Sequence, residues 1–184
     1  NDIDMLTVGM YGKGNVGIGS KCTDNEYKVQ FALWCMLSAP LMMGGDLRSM
    51  NEFCEKLMLN KELLAINQDE EARPPYVVQL GDLNVENPNP KDGEFPWVVQ
   101  EQTALTMIKH LSGGEFAIGL FNLSKSDAQI SCIFADCGLP YTSGYGFEMT
   151  DVFTGEKLGV VRDYYCPVIP GHDCRVFRCK LVKC

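Results

Sequence analysis

The tripeptide Arg73-Pro74-Pro75 divides the sequence into two stretches of different periodicity. Two successive prolines fit neither a helix interior nor a central strand, because each lacks a backbone N–H and fixes φ. Before them, short apolar runs alternate with stretches of helical spacing. Asp4-Met5-Leu6-Thr7-Val8 suits a buried parallel strand. A glycine-rich loop, Gly9 to Gly19, follows it. Thr23-Asp24-Asn25-Glu26 then reads as a capping box, a hydroxyl and a carboxylate satisfying each other's free N–H groups. The helix it opens carries Tyr27, Phe31, Trp34, Cys35 and Ser38 on one face, and Pro40 is expected to stop it. Leu41-Met42-Met43 is the next strand. Ser49-Met50-Asn51-Glu52 repeats the capping-box pattern ahead of Phe53, Leu57 and Leu64, with Asn60 as a further cap. Residues 1–73 therefore run β-α-β-α, the order of parallel α/β folds.

Residues 74–184 read as short strands separated by turn residues. The expected runs are Tyr76–Leu80, Trp97–Gln102, Leu105–Ile108, Phe116–Asn122, Ala128–Phe134, Phe147–Phe153, Lys157–Val161 and Arg175–Val182. Their regular spacing predicts an antiparallel sandwich or barrel. Asp82 to Pro96 is polar and proline-bearing and reads as an exposed loop.

Two parallel strands and two helices cannot close a (β/α)8 barrel, which needs eight of each. The simplest fold class is the last β-α-β-α quarter of such a barrel (residues 1–73) followed by an antiparallel β-sandwich (residues 74–184). The sequence opens on Asn1 inside a strand-like run, with no turn chemistry before it, so further β-α units are expected upstream.

Charge and composition narrow the function. Asp and Glu number 24 against 16 Lys and Arg, giving a net charge of −8. That balance argues against nucleic acid as a partner, since phosphate binding wants a basic face. No apolar run reaches the roughly 18 residues of a transmembrane helix, so no membrane partner is expected. The nine cysteines are scattered without a CxxC pair and read mostly as reduced thiols. With the acidic charge, they point towards a bacterial cytoplasm. Cys166, His172, Cys174, Cys179 and Cys184 cluster near the end, but at spacings that match no zinc motif.

Several motifs carry candidate chemistry. Gly12-Lys13-Gly14-Asn15-Val16-Gly17 matches GxGxxG after a strand. The capping box lies several residues later, whereas a dinucleotide fold opens its helix on the glycines, so a barrel-top loop is the better reading. Asp2 and Asp4 project to one side of the first strand by alternation. As buried acids they would either brace the barrel or accept from hydroxyls or an arginine. Asp46-Leu47-Arg48 reads as a local acid–base pair orienting a loop. Phe31, Trp34, Met42 and Met43 read as core, and Asn122-Leu123-Ser124 is a glycosylation sequon on paper.

The segment Asn1-Asp2-Ile3-Asp4-Met5-Leu6 resembles the NDPDML-type segment of glycoside hydrolase family 27, the α-galactosidases. The run Phe31 to Met42 is similar to that family's ALW…APL junction, and Gly45-Asp46-Leu47-Arg48 to its DLR segment. Asn60-Lys61-Glu62 through Ala65-Ile66-Asn67-Gln68-Asp69 is similar to its NKE…AINQD segment. Phe116 to Asn122 and Met149 to Gly155 extend the likeness into the β part. The resemblance implies barrel strands seven and eight with their helices, then a β domain. It implies a retaining hydrolase of terminal α-galactosides whose two catalytic Asp residues lie on earlier strands, so none is assigned in this chain. It maps two substrate-binding positions onto Asp4, which would fix the sugar or a neighbouring basic residue, and Met5, an apolar wall of the pocket. The implied partners are an α-galactoside substrate and the missing N-terminal barrel portion, with homo-oligomerisation left open. No metal or organic cofactor is implied, because two carboxyls and water suffice. Ile3 stands where the family usually has proline. A non-catalytic carbohydrate-binding or scaffold module is the alternative, with Trp97, Tyr141, Tyr145, Tyr164 and Tyr165 as candidate sugar contacts.

Overall fold

The computed structural model describes residues 3, 5–13, 22–81, 83–86 and 99–184. The first part holds strand β1 (Met5–Leu6), helix α1 (Asp24–Met36), strand β2 (Met42–Met43) and helices α2 (Glu52–Met58) and α3 (Lys61–Asn67). Strands β1 and β2 pair in parallel, Met5 opposite Met42 and Leu6 opposite Met43. The strands are shorter than the apolar runs predict. Thr23 caps α1 through the full capping box. The helix ends at Met36, before Pro40, because Leu37 closes it and Ser38 turns the chain out at φ +51°. Asn51, rather than Ser49, caps α2. Residues 47–49 form a 3-10 turn that takes up Ser49 two residues ahead of the cap, and the Asn51 side chain accepts from the Cys54 N–H. Asn60 caps α3, accepting from the Glu62 and Leu63 N–H groups.

The second part is built on a six-stranded sheet. Its members are β3 (Tyr76–Leu80), β6 (Ala104–His110), β7 (Glu115–Asn122), β10 (Tyr145–Asp151), β11 (Lys157–Val161) and β14 (Asp173–Lys183). The spatial order is β11-β10-β14-β7-β6-β3, with all neighbours antiparallel. The predicted exposed loop from Asp82 to Pro96 begins instead with a strand, β4 (Leu83–Glu86), paired with β5 (Val99–Gln102). The rest of that loop, and Trp97, lie outside the described residues. The single run predicted for Ala128–Phe134 is split into β8 (Ala128–Gln129) and β9 (Cys132–Ile133). These pair with β13 (Val168–Ile169) and β12 (Tyr164–Tyr165), which the pattern did not show.

Side-chain alternation along the sheet sorts the core into two layers. On one face Met107, Ala117, Phe121, Cys174 and Val176 join a cluster with Leu6, Val8, Tyr27, Phe31, Cys35, Leu63 and Ile66 of the first part. On the other, Ile108, Ile118, Leu120, Phe147, Met149, Phe177 and Cys179 pack on Ile130, Cys132, Phe134 and Ile169 of the short strands. The sheet is thus shared between the α/β part and a thin outer β layer. Gly119 of β7 permits a close approach: a Cβ there would stand 2.8 Å from the Phe121 ring and 3.4 Å from Met36 of α1.

Hydrogen bonds and ion pairs cross the junction of the two parts. Lys28 meets Asp173 at 2.8 Å and Glu26 meets His172 Nδ1 at 2.7 Å. Asn67 Nδ2, by contrast, stays within the first part, donating to the Ala39 carbonyl at 2.9 Å. The Asp69 carboxylate accepts from the N–H and hydroxyl of Ser112. Lys109, fully buried on β6, donates to Ser38 Oγ at 2.5 Å and to the Ile66 carbonyl at 2.7 Å.

Candidate functional site

In parallel β/α architectures the reactive groups gather at the C-terminal ends of the strands, on the loops that lead into the helices. Here that end is formed by residues 7–13 after β1 and residues 44–51 after β2. Gly44 brings the second loop against the first strand. Its N–H donates to the Leu6 carbonyl at 2.9 Å, and a Cβ would stand 2.9 Å from that oxygen.

The two faces of β1 differ. Leu6 is fully buried against the helices, whereas Met5 is 52% exposed on the other face. Its neighbours across the pair, Met42 and Met43, are also exposed, which corrects their assignment to the core. Their strand has one partner among the described residues, and both side chains are open to solvent. The result is a thioether-rich apolar surface beside the strand ends. Met5 lies on this exposed surface. Asp4, Asp2 and the segment Gly14–Gly17 of the glycine motif lie outside the described residues.

The loop after β1 is tied down by both helices. Thr7 donates from its N–H and hydroxyl to Gln30 Oε1 on α1. The Tyr11 N–H donates to the Tyr27 hydroxyl at 2.7 Å, and the two rings meet edge to face. The Tyr11 hydroxyl donates to the Asp24 carboxylate and accepts from Asn51 Nδ2 at 2.8 Å. Burial, and then the bond to Asp24, push the Tyr11 phenol well above the ordinary tyrosine range. Tyr11 is accordingly a neutral donor that fixes the loop, unsuited to proton transfer near neutral pH. The sequence reading missed Tyr11 and the cap Asn51. Tyr11 could have been flagged only as an aromatic flanked by glycines, a weak signal.

Asp46 and Arg48 form the predicted pair on the loop after β2. Arg48 donates from Nε and Nη2 to the two carboxylate oxygens at 2.9 and 2.8 Å. The side-chain bonds from Arg48, with its N–H, bring the Asp46 carboxyl down to about 2. A carboxylate held ionised at every ordinary pH can accept hydrogen bonds but cannot serve as a general acid.

Other candidates are placed elsewhere. Asn122 is fully buried, its amide donating to the carbonyls of Ser126, Ile169 and Pro170, so the sequon nitrogen is not accessible in the folded chain. Cys174 and Cys179 lie buried on opposite faces of β14, which separates the predicted terminal cluster. Tyr141, Tyr145 and Tyr164 are exposed, whereas Tyr165 turns inward to meet Phe177 edge to face. An open cleft between α3 and the sheet is lined by Glu62, Glu115, Glu148, Lys157, Arg178 and Lys180. There Arg178 joins Glu115 at 2.5 Å and Glu62 at 3.3 Å, and Lys180 reaches Glu115, a charge ladder that holds the helix to the sheet.

Comparison with known proteins agrees with this geometry. Residues 1–69 match the family model "Alpha galactosidase A", and residues 102–179 match "Alpha galactosidase C-terminal beta sandwich domain". An α-galactosidase of Coffea arabica is 30% identical over 95% of this chain and 38% of its own length. Alpha-galactosidase 2 of Arabidopsis thaliana is 29% identical over 96% of this chain and 37% of its own. A Bacteroides fragilis crystal structure assigned as an α-galactosidase/melibiase superposes with a TM-score of 0.76 at 28% identity, covering 98% of this chain and 34% of that one. The chain thus spans less than two fifths of these relatives. A parallel β/α pair with exposed inner face, leading into an antiparallel sandwich on a common core, is what the tail of such a barrel presents, and the chain belongs to the α-galactosidase (melibiase) family of glycoside hydrolases, family 27, as its C-terminal part.

Proposed function

We propose that this chain supplies the closing strands and the β domain of a retaining glycoside hydrolase that removes terminal α-D-galactosyl residues from oligosaccharides or glycoconjugates. The observation that carries the proposal is the match of both parts, in order, to α-galactosidase family models, with relatives of that name along nearly the whole chain. Retention requires two carboxyls about 5 Å apart, one as nucleophile and one as acid and then base. In this reading both lie on earlier barrel strands, and the chain by itself does not turn over substrate. Its part in the reaction is to shape the pocket. Met5 offers an apolar wall to the less polar face of the sugar, and Asp4 accepts from sugar hydroxyls or braces a basic neighbour.

The test is hydrolysis of an aryl α-galactoside by this chain alone and by a polypeptide that also carries the preceding barrel units. The chain alone is expected to be inactive. The longer polypeptide is expected to release α-galactose first, read by proton NMR of the anomeric signal. In it, Met5→Lys should lower kcat/KM by about tenfold, equivalent to about 1.4 kcal/mol of transition-state stabilisation. Hydrolysis by this chain alone would overturn the placement of the catalytic pair. Glycan retention by this chain, with no hydrolysis by either polypeptide, would instead support the binding-module reading.

A further inference from the structure

Two of the nine thiols lie within reach of each other. Cys132 on β9 and Cys137 in the turn that follows have their Sγ atoms 3.6 Å apart. The turn holds them there. The Asp136 N–H donates to the Ile133 carbonyl, those of Cys137 and Leu139 to the Phe134 carbonyl, and Gly138 takes φ +84° to reverse the chain. The Phe134 N–H is anchored in turn to the Asp163 carbonyl at 2.9 Å. Cys132 is fully buried among Phe134, Phe147, Ile169 and Phe177, while Cys137 is half-buried at the edge of that cluster. The hydrogen bond from Cys132, opposed by burial, brings the Cys137 thiol below its ordinary range. The layer that carries the pair is made of two-residue strands, with little ladder of its own to hold it.

We propose that Cys132 and Cys137 are a redox-active dithiol that closes to a disulfide by exchange with a small-molecule disulfide of the glutathione class. Cys137, accessible and the better thiolate, attacks one sulfur of the oxidant. An S–S bond forms to Cys137, and one glutathione leaves as thiolate and takes up the proton that Cys137 lost. Cys132 Sγ then attacks Cys137 Sγ and expels the second glutathione, its own proton passing to the departing sulfur. Two electrons and two protons move from the dithiol to the oxidant, which leaves as two thiols. The bond staples the outer layer by closing a short loop, so the chain has a firmer oxidised state and a looser reduced one. This inference is independent of the catalytic reading.

The experiment equilibrates the full chain in glutathione buffers of increasing oxidised fraction, blocks free thiols, and cleaves on the N-terminal side of Asp136. The expected result is a pair of peptides joined through Cys132 and Cys137. The melting temperature of the oxidised chain should exceed that of the reduced chain by about 5 °C. Cys137→Ser, which keeps the turn, should lose both the link and the shift. Two outcomes would overturn the proposal: both thiols remaining free at every ratio, or Cys132 linking to buried Cys179 of the facing strand instead. A link that forms without raising the melting temperature would overturn the stapling role.

Discussion

At the scale of single residues, Lys109 shows how polar groups were fitted into a core that apolar patterning alone would have closed. Its ammonium is fully buried yet meets two acceptors, the Ser38 hydroxyl just beyond α1 and the Ile66 carbonyl in the last turn of α3, where backbone carbonyls lack helical partners. Burial pulls its pKa below the ordinary lysine value, and Asp69 and Cys35 act the other way. Lys109→Met keeps most of the stem but strands Ser38 and the Ile66 carbonyl. It should cost about 2 kcal/mol, read as a lower urea midpoint at unchanged slope. Nothing in the sequence marked this lysine, since one charged residue in an alternating strand reads as a solvated face. The same limit applied to Met42 and Met43. Their apolar character predicted burial, but whether a strand face is covered depends on which other strands are present, and composition does not carry that. Asp46 and Arg48 were legible because both partners lie within one turn of chain. Tyr11 was not, because its partners Asp24 and Asn51 come from two later helices.

At the scale of elements, the helices were legible where a local rule sufficed. The capping box at Thr23 and the cap at Asn60 need only a few neighbouring residues, and both formed. Asn60 also reaches beyond its own helix, donating from Nδ2 to the Val152 carbonyl at 2.9 Å. Asn60→Asp keeps the cap and loses the donor, whereas Asn60→Ala loses both. Losses of about 1 and about 2 kcal/mol respectively are expected, measured as denaturation midpoints of the two variants side by side. The long strands of the main sheet were found to within one or two residues at most ends, since alternation there runs over seven or more positions. The two-residue strands of the outer layer were missed or merged. So short an element has no period to detect, and β13 is flanked by Pro167 and Pro170, a residue type that ordinarily marks turns. The helix end at Met36 was mistaken for the same kind of reason: Pro40 is a visible stop, while the left-handed turn at Ser38 is set by packing and leaves no signal.

For the whole molecule, carboxylates whose ionised form the fold favours lie at and beside the junction of the α/β part and the sheet. Burial opposes the ionisation of Glu26, Asp69 and Glu115. The Thr23 and His172 bonds to Glu26, the Ser112 bonds to Asp69, and the Arg178 bonds to Glu115 outweigh it, so all three pKa values are lowered. A carboxyl whose pKa is lower folded than unfolded contributes stability above its unfolded value, and that contribution is lost as pH falls through the folded value. Melting temperature should therefore be nearly flat from pH 7 to about 5 and fall below about 4. Asp69→Asn should lower the plateau and make the acid limb shallower, as a pH series of thermal melts would show. An acid limb unchanged by the substitution would remove Asp69 from the account.

Strand β14 is the latest element in the sequence, yet it stands in the middle of the sheet, between β10 and β7, and also packs on α1. Seen from the ribosome, β6 and β7 can pair as soon as they emerge, but β10 and β11 must wait as a separate hairpin. The α/β part waits with them, lacking Cys174 and Val176 from its core. The β3-β6-β7 and β10-β11 pieces therefore keep open strand edges until the stretch that forms β14 has cleared the exit tunnel. A stop codon ahead of β14 would remove the middle of the sheet, and synthesis speed over the β14 codons would set how long a chaperone must guard the rest.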